Sequence, residues 1–201
     1  AEVAAAVWSL DLCKNHLASV PATMTRPLCG LRELDLSRNS LACFPVALCH
    51  LPSLELLDMS LNLLESVDVS AELVKSGLPK LQKLLLSRNR LTAFPQCLPG
   101  CMQLEALDLS HNRLGFAMTG SDAADPLRGT AKLRELCLND NGLLQVPPAV
   151  FALPLEVLRV GGNRLSALPP SIAGLAGSLT SLDIGRNSLS ALPPQLGTCD
   201  L

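Results

Sequence analysis

The chain has 201 residues, 16 of them basic and 18 acidic, and its formal net charge of −2 argues against a nucleic acid or an anionic membrane surface as partner. No apolar run reaches the ~18 residues of a transmembrane helix. Hydrophobic residues make up 48% of the chain but aromatics only 2%, and tyrosine is absent. The core must therefore be built from aliphatic side chains, chiefly leucine.

Asparagine marks a repeat that runs along the chain. Eight of the nine asparagines recur at intervals of 22 to 29 residues: Asn15, Asn39, Asn62, Asn89, Asn112, Asn141, Asn163 and Asn187. Eight, five and three residues before each of them, and two residues after, the residue is always aliphatic or methionine, most often leucine. A pattern that holds at four positions in all eight units indicates a repeat architecture.

The pattern L-x-x-L-x-L-x-x-N-x-L resembles the leucine-rich repeat, and it covers essentially all of residues 1–201 as a single domain. Six units continue with an apolar residue and proline, as in Phe44-Pro45. This feature and the unit length of about 23 residues resemble the intracellular subclass of Ras-suppressor and scribble-type scaffolds. The segment LRELCLNDNGLLQVPPAV (133–150) is more weakly similar to the repeat block of Roco-type kinases.

The segment x-L-x-L-x before each asparagine predicts a short strand with its leucines inward. Each strand should pair in parallel with the next, ~4.8 Å away, so that stacked repeats share one core. We expect an α/β solenoid with a curved parallel sheet on its concave face. The convex face should consist of irregular, 3₁₀ or short helical segments. The asparagine amides should bridge backbone groups of their own and the adjacent repeat in the turn after each strand.

Two repeats are longer than the others. In the third, Ser70 predicts the N-cap of a short helix that ends at Gly77. In the fifth, residues 115–131 (GFAMTGSDAADPLRGTA) predict a surface insertion, which is either a tolerated loop or a partner contact. Neither end of the sequence has the polar cap that a solenoid needs. We therefore expect both caps to be missing and the sequence to be part of a longer protein.

The eight cysteines complete no metal-binding set, and the three histidines have no partners at a catalytic spacing. Cys101 and Cys199 are predicted as small buried residues of the convex core. Cys13 and Cys137 are predicted on the outward face of strands, too far apart to pair. We expect free thiols, no catalytic residue, no metal and no cofactor. No asparagine begins an N-x-S/T sequon and no terminal cysteine cluster occurs, which favours a cytoplasmic protein.

The outward residues of the strands define the predicted concave face. An aspartate column four residues before the asparagines is either an acidic stripe for a basic partner or a structural feature beside Arg38, Arg88 and Arg186. Leu56, Leu61 and Leu85 interrupt this polar surface, as expected at the centre of an interface. The candidate partner-binding residues are Glu33, Asp35, Leu56, Asp58, Leu61, Lys83, Leu85, Arg88, Asp108, His111, Glu135 and Arg159.

The resemblance implies a protein–protein interaction module, a scaffold or adaptor that binds another protein on its concave face. Nucleic acid, membrane insertion and small-molecule substrates have no support in the sequence. One alternative is the regulatory or substrate-recruiting arm of a larger signalling enzyme, such as a kinase, GTPase or ubiquitin ligase. The other is a constitutive subunit of a large assembly.

Overall fold

The computed structural model describes residues 7–25, 27–116 and 127–198, and each asparagine of the repeat follows a short strand. Strands β1 to β8 are Ser9–Asp11, Glu33–Asp35, Leu56–Asp58, Lys83–Leu85, Ala106–Asp108, Glu135–Cys137, Val157–Arg159 and Ser181–Asp183. They form one curved parallel sheet in chain order, with matching positions of successive repeats side by side. The predicted fold class is confirmed.

Short helical segments form the opposite, convex face. The α-helices are α1, Ala22–Thr25, and α2, Ala71–Gly77; 3₁₀ segments span Val46–His50, Leu98–Gly100, Leu114–Phe116, Pro148–Ala152, Pro170–Leu175 and Pro194–Thr198. Packed helical segments need more space than neighbouring strands, so successive repeats lie farther apart on this side than on the sheet side. This difference curves the solenoid and makes the sheet its concave face. Helix α2 begins and ends as predicted, and the Ser70 side chain accepts a 3.2 Å hydrogen bond from the Leu73 N–H.

The core lies between the two faces and consists of the inward residues of every repeat. In the middle repeats, residues such as Leu54, Leu57 and Met59 are fully buried. Phe44 and Phe94, which directly precede Pro45 and Pro95, are also buried. They close the core where the chain runs from the sheet to the convex side. Most of the predicted insertion, residues 117–126, lies outside the described residues. After it, Leu127 and Thr130 are buried again in the convex side.

The buried asparagines form a hydrogen-bonded ladder beneath the turns, as predicted. Asn112 donates from Nδ2 to the carbonyl oxygens of Leu109, at 2.9 Å, and of Leu86 in the preceding repeat, at 3.0 Å. Its Oδ1 accepts from the N–H of Leu91 at 3.0 Å. The other asparagines that bridge two repeats in this way are Asn39, Asn62, Asn89, Asn141, Asn163 and Asn187.

Glycines allow neighbouring convex segments to approach backbone to backbone. A Cβ atom on Gly77 would lie 1.8 Å from the carbonyl oxygen of Cys49, and one on Gly100 would lie 2.1 Å from that of Ala71. These atoms are backbone atoms and cannot rotate away. Any larger side chain at these positions must therefore push the stacked repeats apart.

Removing one rung of the ladder should destabilise the fold. Asn112→Ala leaves the Leu91 N–H and the Leu86 and Leu109 carbonyl groups without this partner, so we expect a loss of about 1–3 kcal/mol in the free energy of unfolding. Arg113→Ala removes an exposed side chain and should cost less than about 0.5 kcal/mol. Denaturant midpoints measure both effects, and equal midpoints would contradict the structural role of the amide.

The close convex packing gives a second stability prediction. Gly100→Ala should destabilise the fold by about 1–3 kcal/mol, because the added methyl group meets fixed backbone atoms. Gly177→Ala is the matched control, since no heavy atom lies within 4 Å of its added Cβ. This control should stay within about 0.5 kcal/mol of the wild type. Thermal or denaturant unfolding that ranks the two variants equally would contradict the packing argument.

Candidate functional site

The concave face carries two rows of side chains that cross the strands. The first, here named the carboxylate row, consists of Asp11, Asp35, Asp58 and Asp108, which are the last residues of β1, β2, β3 and β5. Leu85 holds the same position in β4, in register with Asp58 on one side and Asp108 on the other. The row is therefore interrupted by one apolar side chain.

Each aspartate of the carboxylate row is fixed by its own backbone. Oδ1 accepts from the N–H two residues ahead: Asp35 from Ser37 at 2.7 Å and Asp58 from Ser60 at 2.8 Å. Burial raises the pKa of Asp58, and the neighbouring carboxylates of Asp35 and Asp108 raise it further, against the opposing effect of the Ser60 hydrogen bond. Arg38 and Arg88 lie in the neighbouring row, but neither arginine belongs to an ion pair within the described residues.

The second row, here named the cation row, consists of Lys14, Arg38 and Arg88, each directly before a ladder asparagine. Leu61 holds this position in the third repeat. All eight residues before the ladder asparagines have positive φ, between 52° and 64°; they are Lys14, Arg38, Leu61, Arg88, His111, Asp140, Gly162 and Arg186. The backbone N–H of each residue in this row donates to a carbonyl oxygen of the following repeat. The Leu61 N–H, for example, donates to the carbonyl of Ser87 at 2.8 Å. This keeps neighbouring members side by side.

The three leucines predicted on this face, Leu56, Leu61 and Leu85, are less exposed than the sequence predicted. The exposed fraction of Leu61 is 37%, but Leu56 and Leu85 are only half-buried rather than fully exposed. The reason is lateral packing: Leu56 stands between Glu33 and Lys83 of the adjacent strands, and aspartates flank Leu85. Leu61 and Leu85 interrupt the two rows in adjacent repeats and form the apolar centre of this face.

The charged residues of the later repeats are engaged with one another. Arg159 Nη1 donates to Glu135 and lies 3.2 Å from the sulfur of Cys137. Oδ2 of Asp140 lies 3.4 Å from Nδ1 of His111 and 3.3 Å from Nη2 of Arg186. The predicted site residues Glu135, Arg159 and His111 therefore serve contacts within the chain. The sequence did not single out Asp140, whose only signal was its position beside a ladder asparagine.

A shallow groove of about 200 Å³ lies at the edge of the sheet where the strands begin. It is lined by Lys83, Glu105, Ala106, Arg134, Glu135, Glu156 and Val157. Two ion pairs at this edge, Arg134–Glu156 and Arg32–Glu55, join adjacent repeats. The groove is smaller than the roughly 300–1,000 Å³ typical of small-molecule pockets, so we assign it no ligand.

The cysteines are free thiols among the described residues. Cys101 is buried as predicted, while Cys199 lies outside those residues. Cys137 ends β6 on the sheet surface, but Arg159 covers its sulfur and the residue is buried, which the sequence did not predict. Burial raises the pKa of Cys49 and of Cys137 to about 11. Ligand atoms of Asp11, Cys13 and Asp35 lie within 4.8 Å of one another, which by itself defines no metal site.

Comparison with known proteins identifies the family. The leucine rich repeat family models match residues 7–64, 67–114 and 178–199. Among solved structures, a leucine-rich repeat protein of Leptospira interrogans is 30% identical, with a TM-score of 0.83, over 94% of this chain and 46% of that one. The plant peptide hormone receptor RGFR1, in complex with RGF2, is 31% identical, with a TM-score of 0.73, over 96% of this chain and 30% of the receptor.

A third similar structure is the leucine-rich repeat ectodomain of the Arabidopsis thaliana membrane receptor kinase GASSHO1/SCHENGEN3, in complex with CASPARIAN STRIP INTEGRITY FACTOR 2. It is 28% identical, with a TM-score of 0.72, over 96% of this chain and 23% of the receptor. This chain thus spans less than half the length of each of the three. No curated protein sequence matches it.

The chain belongs to the leucine-rich repeat family. Repeat domains of this family typically bind other proteins and are generally not enzymes. Within the described residues, none of the helices has the length and apolarity needed to cross a membrane.

The accessibility of the cysteines yields a labelling prediction. In the native protein at neutral pH, a thiol reagent should modify the exposed Cys29 and Cys43 first, while Cys49, Cys97 and Cys101 stay protected by burial. After denaturation without reductant, all eight cysteines of the chain should react. Mass spectrometry counts the labels. Only four or six labels after denaturation would reveal disulfides and contradict a reducing location.

Proposed function

We propose that this chain is a scaffold or adaptor module that binds another protein on its concave face. The contact is centred on Leu56, Leu61 and Leu85, with Asp58, Asp108 and Arg88 around them. The proposal extends to a cytoplasmic location and to the intracellular subclass of about 23 residues per repeat. The free thiols of the described residues are consistent with a reducing compartment.

The observation that carries the proposal is the backbone of Leu61. Its φ is +55°, in the left-handed region that costs most side chains roughly 1–2 kcal/mol. The other seven residues at this position are charged residues, a histidine and a glycine. Leu61 contributes little to the core in return, because 37% of its surface remains exposed. A large apolar residue in this costly place is accounted for by a partner that covers it.

The backbone ladder makes the face rigid before binding. Main-chain hydrogen bonds tie adjacent repeats on both sides of ladder asparagines such as Asn62, where the Leu61 N–H donates to the Ser87 carbonyl at 2.8 Å and the Leu63 N–H to the Leu41 carbonyl at 2.9 Å. A preformed surface loses little conformational entropy when a partner binds. Recognition of a polypeptide also agrees with RGFR1 and GASSHO1/SCHENGEN3, whose structures contain RGF2 and CASPARIAN STRIP INTEGRITY FACTOR 2.

The second candidate is the recruiting arm of a larger signalling enzyme. It is favoured by the length comparison, since the chain covers only 23% of the GASSHO1/SCHENGEN3 ectodomain, itself part of a receptor kinase. In this case the same face would bind a substrate or regulator, while the catalytic part would lie outside residues 1–201. Determining the sequence on both sides of this chain separates the two candidates.

Substitution of the leucines tests the binding face. Leu61→Asn should retain the fold or stabilise it by up to about 1 kcal/mol, because asparagine tolerates the left-handed backbone. Combined with Leu56→Ser and Leu85→Ser, it should abolish partner binding. Partners are found by affinity purification with mass spectrometry, and each is then measured with purified proteins by calorimetry. Thermal unfolding of the same variants reports the fold.

Two controls make the result interpretable. Leu57→Asn, at a fully buried position one residue from Leu56, should unfold the protein. Its thermal unfolding shows what a core substitution does. Asp183→Ala, in the last strand, should leave both folding and binding nearly unchanged. If the leucine variant unfolds like the first control, the three leucines are core residues. If it stays folded and binds every partner as before, the interface lies elsewhere.

A further inference from the structure

Several charges of the two rows on the concave face have no ion-pair partner within the described residues. Arg38 and Arg88 take part in none of the ion pairs formed by the described residues, and neither do Asp58 and Asp108. The contrast with the later repeats is direct, because there Arg159 engages Glu135 and Asp140 engages both His111 and Arg186. The first five repeats thus present separate tracks of negative and positive charge.

The aspartates cannot turn toward the arginines without giving up their backbone hydrogen bonds. Oδ1 of Asp58 holds the Ser60 N–H at 2.8 Å, and Oδ1 of Asp108 holds the Ser110 N–H at 2.9 Å. No basic side chain of the described residues forms an ion pair with either carboxylate. These carboxylates are therefore oriented by the fold and remain able to accept from an external cation.

The spacing of the rows fits one polypeptide segment. Three residues lead from Asp58 to Leu61, as they do from Leu85 to Arg88, so the rows are at most about 11 Å apart. An α-helix with its side chains is about 10–12 Å wide. A segment laid across the strands over Leu61 and Leu85 would therefore place its two edges against the two rows.

From this arrangement we infer that the partner is a bipolar amphipathic segment of another protein. Large apolar side chains of the segment sit on Leu61 and Leu85. Basic side chains along one edge meet Asp58 and Asp108, and acidic side chains along the opposite edge meet Arg38 and Arg88. The inference rests on the proposed function and adds the chemistry and the orientation of the bound segment. Charge complementarity of both signs also disfavours nucleic acid, which would meet the carboxylate row.

Peptide display supplies a probe that does not depend on the identity of the partner. A random peptide library is selected on the 201-residue chain, and peptides are kept only if Leu61→Asn with Leu85→Ser abolishes their binding. We expect the retained peptides to carry an apolar core with acidic and basic residues on opposite sides. Purified peptides are then measured by fluorescence anisotropy at low and high salt, where the dissociation constant should rise by about tenfold.

Charge-removing variants assign each edge of the peptide to one row. Asp58→Asn with Asp108→Asn keeps the oxygen that accepts from the backbone and removes only the charge, so the fold should be preserved. Arg38→Gln with Arg88→Gln removes the cation row. Each pair should weaken a selected peptide by about tenfold. Arg32→Gln with Arg134→Gln is the control for the arginine pair, because it removes the same charge at the edge of the sheet where the strands begin. It should change affinity less than about twofold.

The outcomes separate this inference from the proposed function. Leucine-dependent peptides whose affinity ignores both charge pairs would overturn the bipolar segment while leaving the apolar interface intact. Peptides sensitive to only one row would also overturn it, because the inference requires both edges. A library that yields no leucine-dependent peptide would overturn the inference and the proposed function together.

Discussion

The asparagine ladder is the constraint from which the rest of the molecule follows. A turn after every strand leaves backbone N–H and C=O groups inside the protein, where each unpaired group costs about 1–3 kcal/mol. One amide, such as that of Asn112, satisfies groups of its own repeat and of the preceding one. Because this bond set links neighbours at a fixed position, the repeats cannot slip against one another. The rows of the concave face exist only because the register beneath them is held.

The same ladder explains which features the sequence could predict. The inward columns and the asparagines recur at fixed offsets, so periodicity alone places Leu54 and Leu57 in the core and Asn112 under a turn. The N-cap at Ser70 is equally local. The half-burial of Leu56 and Leu85 is set by the residues in adjacent strands and by side-chain packing. The preference of Asp58 for the Ser60 N–H over an arginine is a competition between contacts that spacing cannot decide.

The left-handed position before each asparagine shows why backbone strain could not be predicted from the sequence. Glycine and asparagine usually indicate positive φ, but here lysine, arginine, histidine, aspartate and leucine adopt it in different repeats. The tight turn imposes the conformation, and the bonds on either side, such as Leu61 N–H to Ser87 and Asn62 to Met59, hold it. The local cost is outweighed by interactions that recur in every repeat. The side chain at this position is consequently free to vary and can serve the surface.

A surface built in this way must discriminate partners by side chains, since its backbone is fixed. In the later repeats, cross-strand pairs such as Arg159 with Glu135 neutralise the face and leave little to attract a charged partner. In the earlier repeats, the aspartates are held by backbone N–H groups and the arginines remain exposed, so both charges stay available. Exposed charges contribute more to specificity and association rate than to affinity. In the proposed interface, affinity then comes from the apolar centre, where Leu61 takes the place of a basic residue in the cation row and Leu85 that of an aspartate in the carboxylate row.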